Sequence, residues 1–243
     1  GKALADWIIH GYPPSDLAEM DPARCEEFQS RDIYLQERCP ETLVLTYAMH
    51  WPGRQRNTAR NLRRSPFYHV MKATGACFAE IQGWERPGWF APCGIEAIND
   101  YSFQRPSWFS FMLQEQKTVR STVGLIDYSM LGKLMVEGRD AETFLQRLCS
   151  NNMAINVGAV TYTLMLNERG GIESDITVAR HATNKFMIMS SISRTRRDHI
   201  YLKNSILGGE EVRLRDVTAS HAVLSICGPK SRDLLAEVCD IDV

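Results

Sequence analysis

The stretch "YTLMLNERGGIESDITV", Tyr162 to Val178, decides the fold of its half of the chain. Two strand-like runs flank "NERGG", a turn of the three-to-five-residue, Gly-containing hairpin kind. In the second run Ile172, Ser174, Ile176 and Val178 share one face, and Glu173, Asp175 and Thr177 share the other, because strand side chains alternate. The pattern leaves two fates open for Asp175: a face in water, or the wall of a pocket.

The segments around this hairpin have the same texture. "SFMLQEQKTVRSTVGLIDYS", from Ser110, predicts a helix leading into a strand, and "GKLMVEG", from Gly132, alternates as a strand. "RDAETFLQRLCSNN" is an amphipathic helix with Phe144, Leu145 and Leu148 on one face. "KFMIMSS" is a strand, "RTRRDHIYLKNSIL" a helix, "VRLRDVT" and "AVLSICGP" strands, and "SRDLLAEV" a helix. Strands with interspersed helices imply an α+β fold.

The first hundred residues differ. "KALADWIIH" places apolar residues at 3, 4, 7 and 8 on one helical face, and the prolines of "GYPPSDL" end it. Asp21 is an N-cap candidate with Pro22 at the first helical position, opening one or two helices that reach about Met49. "WPGRQRNTARNLRRSPFYHVMKATG" is a basic loop running into a short helix, a solvated loop or a contact with an acidic surface of the same protein. "CFAEIQGWERPGWFAPCG" is extended, and its "GWERPGWF" reads as a structural aromatic cluster of Trp84, Trp89 and Phe90, more than as a ligand contact, with Glu85 and Arg86 pairing locally or bonding to backbone. Residues 91–106, with scattered Pro, Gly and Asn, form a connecting segment.

The bulk numbers narrow the function classes. A chain of 243 residues holds one large domain or two small ones, and 44% hydrophobic with 23% charged residues is ordinary globular composition. A net charge of -1 gives no pull towards nucleic acid or anionic membranes, and the basic run lacks the aromatic interleaving of a nucleic-acid site. No apolar run approaches the ~20 residues of a membrane span. Seven cysteines without C-x-x-C spacing read as reduced thiols, and six dispersed histidines without an i, i+4 pair give no basis for a metal site. No P-loop or Gly-x-Gly-x-x-Gly occurs. With no initiator Met and an abrupt end at "AEVCDIDV", the chain reads as an internal fragment.

Taken together, these motifs resemble one family. "GKALADWIIHGYPPSDL" is similar to the closing helix of the flavin domain of dimethylglycine and sarcosine dehydrogenases. "RNLRRSPFYHVMKATGACFAEIQGWERPGWFAP" resembles their central connecting domain. "IDYSMLGKLMVEGRDAETFLQRL" and the hairpin resemble the start of their folate-binding domain, itself similar to the aminomethyltransferase of the glycine cleavage system. The resemblance implies three segments: residues 1–30 as the tail of a flavin-binding domain, 31–100 as the connecting domain, and 101–243 as the first part of the folate-binding domain.

It also implies an FAD-dependent oxidation of an N-methyl amino acid, such as sarcosine or dimethylglycine, with the one-carbon unit passed to tetrahydrofolate. Asp175 then matches the family's pocket acid, working as a general acid-base near a folate nitrogen. Tyr162, Leu131 and Ser190 match folate-lining positions, and Gly1 and Lys2 are the residues in reach of FAD. The same resemblance implies an electron-accepting flavoprotein partner and a mitochondrial matrix location. A non-catalytic relative, the regulatory subunit of pyruvate dehydrogenase phosphatase, resembles the chain as well and gives the alternative of a regulatory protein. The "HGYPPSDL" segment and the Ser150–Asn151 pair fit that alternative, while "NERGGIESDITV" and "GWERPGWF" fit the dehydrogenases.

Overall fold

The computed structural model describes residues 1–240. In chain order its elements are α1 (Lys2–His10), α2 (Asp32–Tyr47), β1 (Arg63–Arg64), α3 (Tyr68–Ala73), β2 (Ala76–Ile81), β3 (Trp84–Phe90), α4 (Phe109–Ser121), β4 (Gly124–Asp127), β5 (Gly132–Glu137), α5 (Ala141–Leu148), β6 (Val160–Leu166), β7 (Ile172–Ala182), β8 (Lys185–Ser190), α6 (Thr195–Asn204), β9 (Arg213–Asp216), β10 (Leu224–Cys227) and α7 (Ser231–Val238). The mixture of helix and sheet is the α+β class expected from the pattern. The chain forms two compact units, one of residues 1–29 with 134–216, the other of residues 30–133 with the chain from Val217 onward.

The first unit is built on a five-stranded sheet in the order β6-β7-β8-β5-β9. The pairs β6/β7, β7/β8 and β5/β9 are antiparallel. One face of this sheet is packed. Leu134, Val136, Met165, Ile176, Val178, Phe186 and Ile188 from the strands meet Phe144, Leu145 and Leu148 of α5 and Leu202 of α6 in a single buried cluster. Each such side chain contributes about 1.5–3 kcal/mol when fully withdrawn from water. The three α5 residues are those whose spacing marked one helical face. The β6–β7 turn is organised by Asn167, whose side-chain oxygen accepts from the N–H groups of Arg169 (3.1 Å) and Gly171 (2.9 Å). Its amide donates to Glu173 at 2.7 Å. Gly170 takes φ +75°, a left-handed conformation natural to glycine.

β5 departs from its sequence pattern. Its residues alternate in type, yet Gly132 to Val136 are all buried. Lys133 is buried too, with its Nζ donating to the Ser129 carbonyl at 2.7 Å. A strand buried on both faces shows no alternation of exposure, so the polar member of the pattern marks an inward hydrogen bond and not a wet face.

In the second unit β2 and β3 form an antiparallel hairpin with β1 parallel to β3, and β4 pairs with β10. Trp84 and Trp89 are buried and Phe90 is half-buried. Trp89 donates from Nε1 to Asn99 at 3.1 Å and stacks on Phe111. Glu85 and Arg86 do not pair with each other, but Glu85 does bond to backbone, accepting from the Asn61 N–H at 2.7 Å. Adjacent strand residues point to opposite faces, so Glu85 turns inward and Arg86 stays exposed. Glu85 pairs instead with Arg60 of the basic loop, which donates to it from both Nε (2.8 Å) and Nη2. The loop is therefore partly an internal contact.

Asp21 does cap as its sequence implies, accepting from the Ala23 N–H at 2.9 Å, but the element it opens is only a 3₁₀ turn, Pro22–Arg24. The long helix starts at Asp32. Its inward face is polar: Glu41 accepts from the N–H groups of Asn57 (2.6 Å) and Thr58 (3.0 Å), and Glu37 from Ala59 N–H (3.1 Å). Arg38 donates to Glu80 at 3.3 Å. Ile33, Leu43, Val44 and Tyr47 are exposed.

Candidate active site

The open face of the first unit's sheet lies opposite its core. On β7 the core side takes Ser174, Ile176 and Val178, and the other side takes Glu173, Asp175 and Thr177, as alternation requires. Asp175 is exposed and pairs across the ladder with Leu164, while Tyr162 pairs with Thr177. That diagonal relation brings the Tyr162 hydroxyl to 3.4 Å from Asp175 Oδ2, the outer limit of a hydrogen bond. Two of the sequence-derived site residues thus meet on one face. Half-buried Leu164 on β6 and Met187 and Met189 on β8 share it. The face carries Asp175 and Tyr162, both exposed, with Glu173 and Thr177 beside them and the three apolar side chains of β6 and β8.

Ser190 stands elsewhere. It pairs with Ile176, so parity turns its side chain to the core side, away from Asp175. There its hydroxyl donates to Asp198 of α6. The residue that continues β8 on Asp175's side is Ser191, which is exposed. Counting parity from the register across the hairpin is the signal that would have found it. Leu131 belongs to the second unit, half-buried in a turn where its N–H donates to the Tyr128 carbonyl at 2.9 Å. Gly1 and Lys2 are exposed at the start of α1, where the Ala5 N–H donates to the Gly1 carbonyl at 3.0 Å.

Behind β7 lies a polar group that the sequence pattern did not reveal. Asp198 is fully buried and accepts from Ser174 Oγ at 2.9 Å and from Ser190 Oγ, both through Oδ2. Its Oδ1 has no hydrogen-bond partner among the described residues. Burial pushes the Asp198 carboxyl above the ordinary aspartate range. The two hydroxyls, with the guanidinium charges of Arg197 and Arg194, oppose that push without overcoming it. One residue further towards the turn, the Glu173 carbonyl accepts from Arg197 Nη1 (2.9 Å) and Arg194 Nη1 (3.2 Å), and the Glu173 carboxylate pairs with Arg197 Nη2. These helix residues sit among ordinary surface-like charges in "RTRRDHIYLKN", and only tertiary packing sets them apart.

Residues 67–243 match the model described as the GCVT N-terminal domain, and the chain belongs to that family. Residues 10–65 match the FAD dependent oxidoreductase central domain.

Among solved structures, the glycine cleavage system aminomethyltransferase T of Bartonella henselae superposes with a TM-score of 0.59 at 25% identity, covering 73% of this chain and 44% of that one. The chain is 37% identical, over its whole length, to 4-methylaminobutanoate oxidase (formaldehyde-forming) of Paenarthrobacter nicotinovorans, of which it covers 29%. It is 32% identical over 98% of its length to the mitochondrial pyruvate dehydrogenase phosphatase regulatory subunit of Mus musculus, covering 28% of it. It is 30% identical over its whole length to the mitochondrial dimethylglycine dehydrogenase of Rattus norvegicus, again covering 28%. The chain therefore spans about three-tenths of the length of these relatives, and the resemblance read from its motifs is to the family it matches.

Proposed function

We propose that this chain is part of an FAD-dependent oxidoreductase that demethylates an N-methyl amino acid, and that the open face around Asp175 receives tetrahydrofolate as acceptor of the one-carbon unit. The observation that carries the proposal is the pairing of Asp175 with Tyr162 on the exposed sheet face in a chain whose relatives include a dimethylglycine dehydrogenase.

The residues fit such a group. A flat heteroaromatic ring finds apolar contact on Leu164, Met187 and Met189, and a carboxylate beside them suits its N–H donors. When bound, tetrahydrofolate supplies the amine nitrogens that take up the one-carbon unit. Asp175 orients one such nitrogen by accepting its hydrogen, and can hold the proton that transfer releases. Positioned acid-base groups contribute ~10²–10⁴-fold. Tyr162 donates to Asp175 and fixes its orientation. Ser190, bonded to Asp198 on the core side, takes no part in this face.

The flavin is a different case. Gly1 and Lys2 offer only exposed backbone and one cation at the start of α1, which is not enough to make a flavin site. A reduced flavin needs an electron acceptor, and an electron-accepting flavoprotein is the partner proposed for that role. A mitochondrial location is supported by the names of two relatives, and the matrix is the compartment proposed within it, while the oxidase relative is bacterial.

The test uses the intact protein. A yellow preparation, bleached by sarcosine, dimethylglycine or 4-methylaminobutanoate, is expected. Added tetrahydrofolate should divert the one-carbon unit from formaldehyde into 5,10-methylenetetrahydrofolate faster than formaldehyde and tetrahydrofolate combine spontaneously. A yellow enzyme that releases formaldehyde regardless of folate would remove the acceptor role. A colourless protein inert to all three amines would favour the regulatory reading, which the similarity to the phosphatase regulatory subunit supports.

A further inference from the structure

The α6 contacts converge on the two residues that precede Asp175. Arg197 donates to the Glu173 carbonyl and carboxylate, and its Nε reaches Asp21 Oδ2 at 3.3 Å. Arg194 donates to the same carbonyl. Asp198 accepts from Ser174. The side chains of Asp21, Arg197 and Glu173 are only 19%, 17% and 15% exposed, so the triad is shielded from solvent far more than an ordinary surface ion pair. Arg196 adds a pair to Glu27 at 2.8 Å, and Arg169 at the hairpin turn lies 3.8 Å over the Tyr12 ring. The segment between Tyr12 and Glu27 is thus strapped to α6 and to the turn that leads into the Asp175 strand.

A guanidinium that binds a carbonyl and a side chain of the same residue fixes both the backbone and the rotamer there, because its donors form a rigid fork. The carbonyl of Glu173 can shift only if two arginines let go. Asp175 lies two residues on, with Ser174 between them held from the core side. This is the arrangement expected where a reacting group must be placed to a fraction of an ångström.

We propose that Arg197 is a positioning residue. It sets the strand register of Asp175 through Glu173, and through Asp21 it couples that register to the segment ahead of the sheet. The proposal rests on the assignment of Asp175 to one-carbon transfer, and the experiment separates the two. In the intact protein, three quantities are measured for wild type, Asp175→Asn, Arg197→Met, Asp21→Asn and the double variant Asp175→Asn/Arg197→Met. They are the rate of flavin bleaching by amine, the ratio of 5,10-methylenetetrahydrofolate to formaldehyde, and hydrogen exchange at the amides of residues 174–176.

Arg197→Met is expected to lower the product ratio by up to ~10²-fold, the scale of a 1 Å misplacement. It should leave bleaching near wild type and speed exchange at 174–176. Asp21→Asn retains the cap oxygen and should show a smaller shift of the same sign. It also serves if Arg197→Met does not fold. The double variant should be no worse than Asp175→Asn, since the two residues act as one unit. A ratio unchanged in Arg197→Met, or a multiplicative fall in the double variant, would overturn the proposal. If Asp175→Asn itself leaves the ratio at wild type, the functional reading falls. The clamp is then judged on exchange alone: faster exchange in Arg197→Met upholds it, and wild-type exchange removes it.

Discussion

Glu85 in the second unit and Asp198 in the first are both acids withdrawn from water, at 3% and 0% exposure, yet their surroundings push protonation in opposite directions. Burial raises both. At Glu85 the push is overcome by the Arg60 guanidinium and the Asn61 N–H, with the Arg64 charge adding to them, and the carboxyl is held below its ordinary value of 4.5. At Asp198 the direct donors are two neutral hydroxyls, and the carboxyl stays above its ordinary value of 3.8. The charge of the donor, more than the number of hydrogen bonds, decides whether a buried acid is ionised. One acid is thus half of an ion pair that ties a loop to a hairpin. The other is held above its ordinary value beneath the strand of the candidate site.

The largest effect should come from breaking the ion pair. Arg60→Met leaves Glu85 buried and uncompensated, which costs about 3–5 kcal/mol, read by denaturant unfolding. Adding Glu85→Gln to Arg60→Met should recover much of that loss, because a buried amide needs no counter-charge. A loss below ~1 kcal/mol for Arg60→Met, the level of an exposed pair, would put Glu85 in contact with water. Asp198→Ala should cost somewhat less, about 2–4 kcal/mol, since it strands two buried hydroxyls at roughly 1–3 kcal/mol each. Asp198→Asn keeps an acceptor for both hydroxyls and should lie within ~1 kcal/mol of wild type. If Asp198 were an ionised partner of Arg197 or Arg194, the Asn variant would be nearly as damaging as Ala.

The smaller effect is a pair of pH slopes of opposite sign. For Glu85 the folded value is depressed, so its stabilisation is present above 4.5 and is lost as pH falls through the folded value. For Asp198 the folded value is raised, so the folded state holds a proton that the unfolded chain has released. Stability then falls as pH rises from 3.8 towards the raised value, and levels off above it. Glu85→Gln should flatten the acid limb of the stability profile, and Asp198→Asn the limb just above it. The same limb flattened by both variants would end the contrast.

Much of the first unit was legible in the sequence because its signals are local. The alternation of "IESDITV" fixed which residues share a face, the Phe144–Leu145–Leu148 spacing fixed the packed side of α5, and "NERGG" fixed the turn. What could not be read depends on distant partners. Glu85 stood beside Arg86 in sequence and paired with Arg60 in space, since strand parity separates neighbours. Asp21 carried a sound cap signal for what is only a single 3₁₀ turn, because "CEEFQSR", residues 25–31, supplies no continuous apolar stripe to extend it. β5 alternates by residue type but is covered on both faces, a tertiary fact. Ser190 was matched by position along the chain, whereas the ladder register gives that face to Ser191. Asp198 is an acid in a charged helix like any other until two serines of the sheet are brought onto it.

If the open sheet face serves one-carbon transfer and not amine oxidation, removing its acid must change where the carbon goes and leave the oxidation alone. Product partitioning in intact wild type and Asp175→Asn, with flavin bleaching recorded on the same samples, decides this. Asp175→Asn keeps the volume and removes the proton-accepting carboxylate. The expected result is bleaching close to wild type with a fall in 5,10-methylenetetrahydrofolate and a matching rise in formaldehyde, on the ~10²–10⁴-fold scale of a lost acid-base group for the transfer step. Slower bleaching with unchanged partitioning would contradict it.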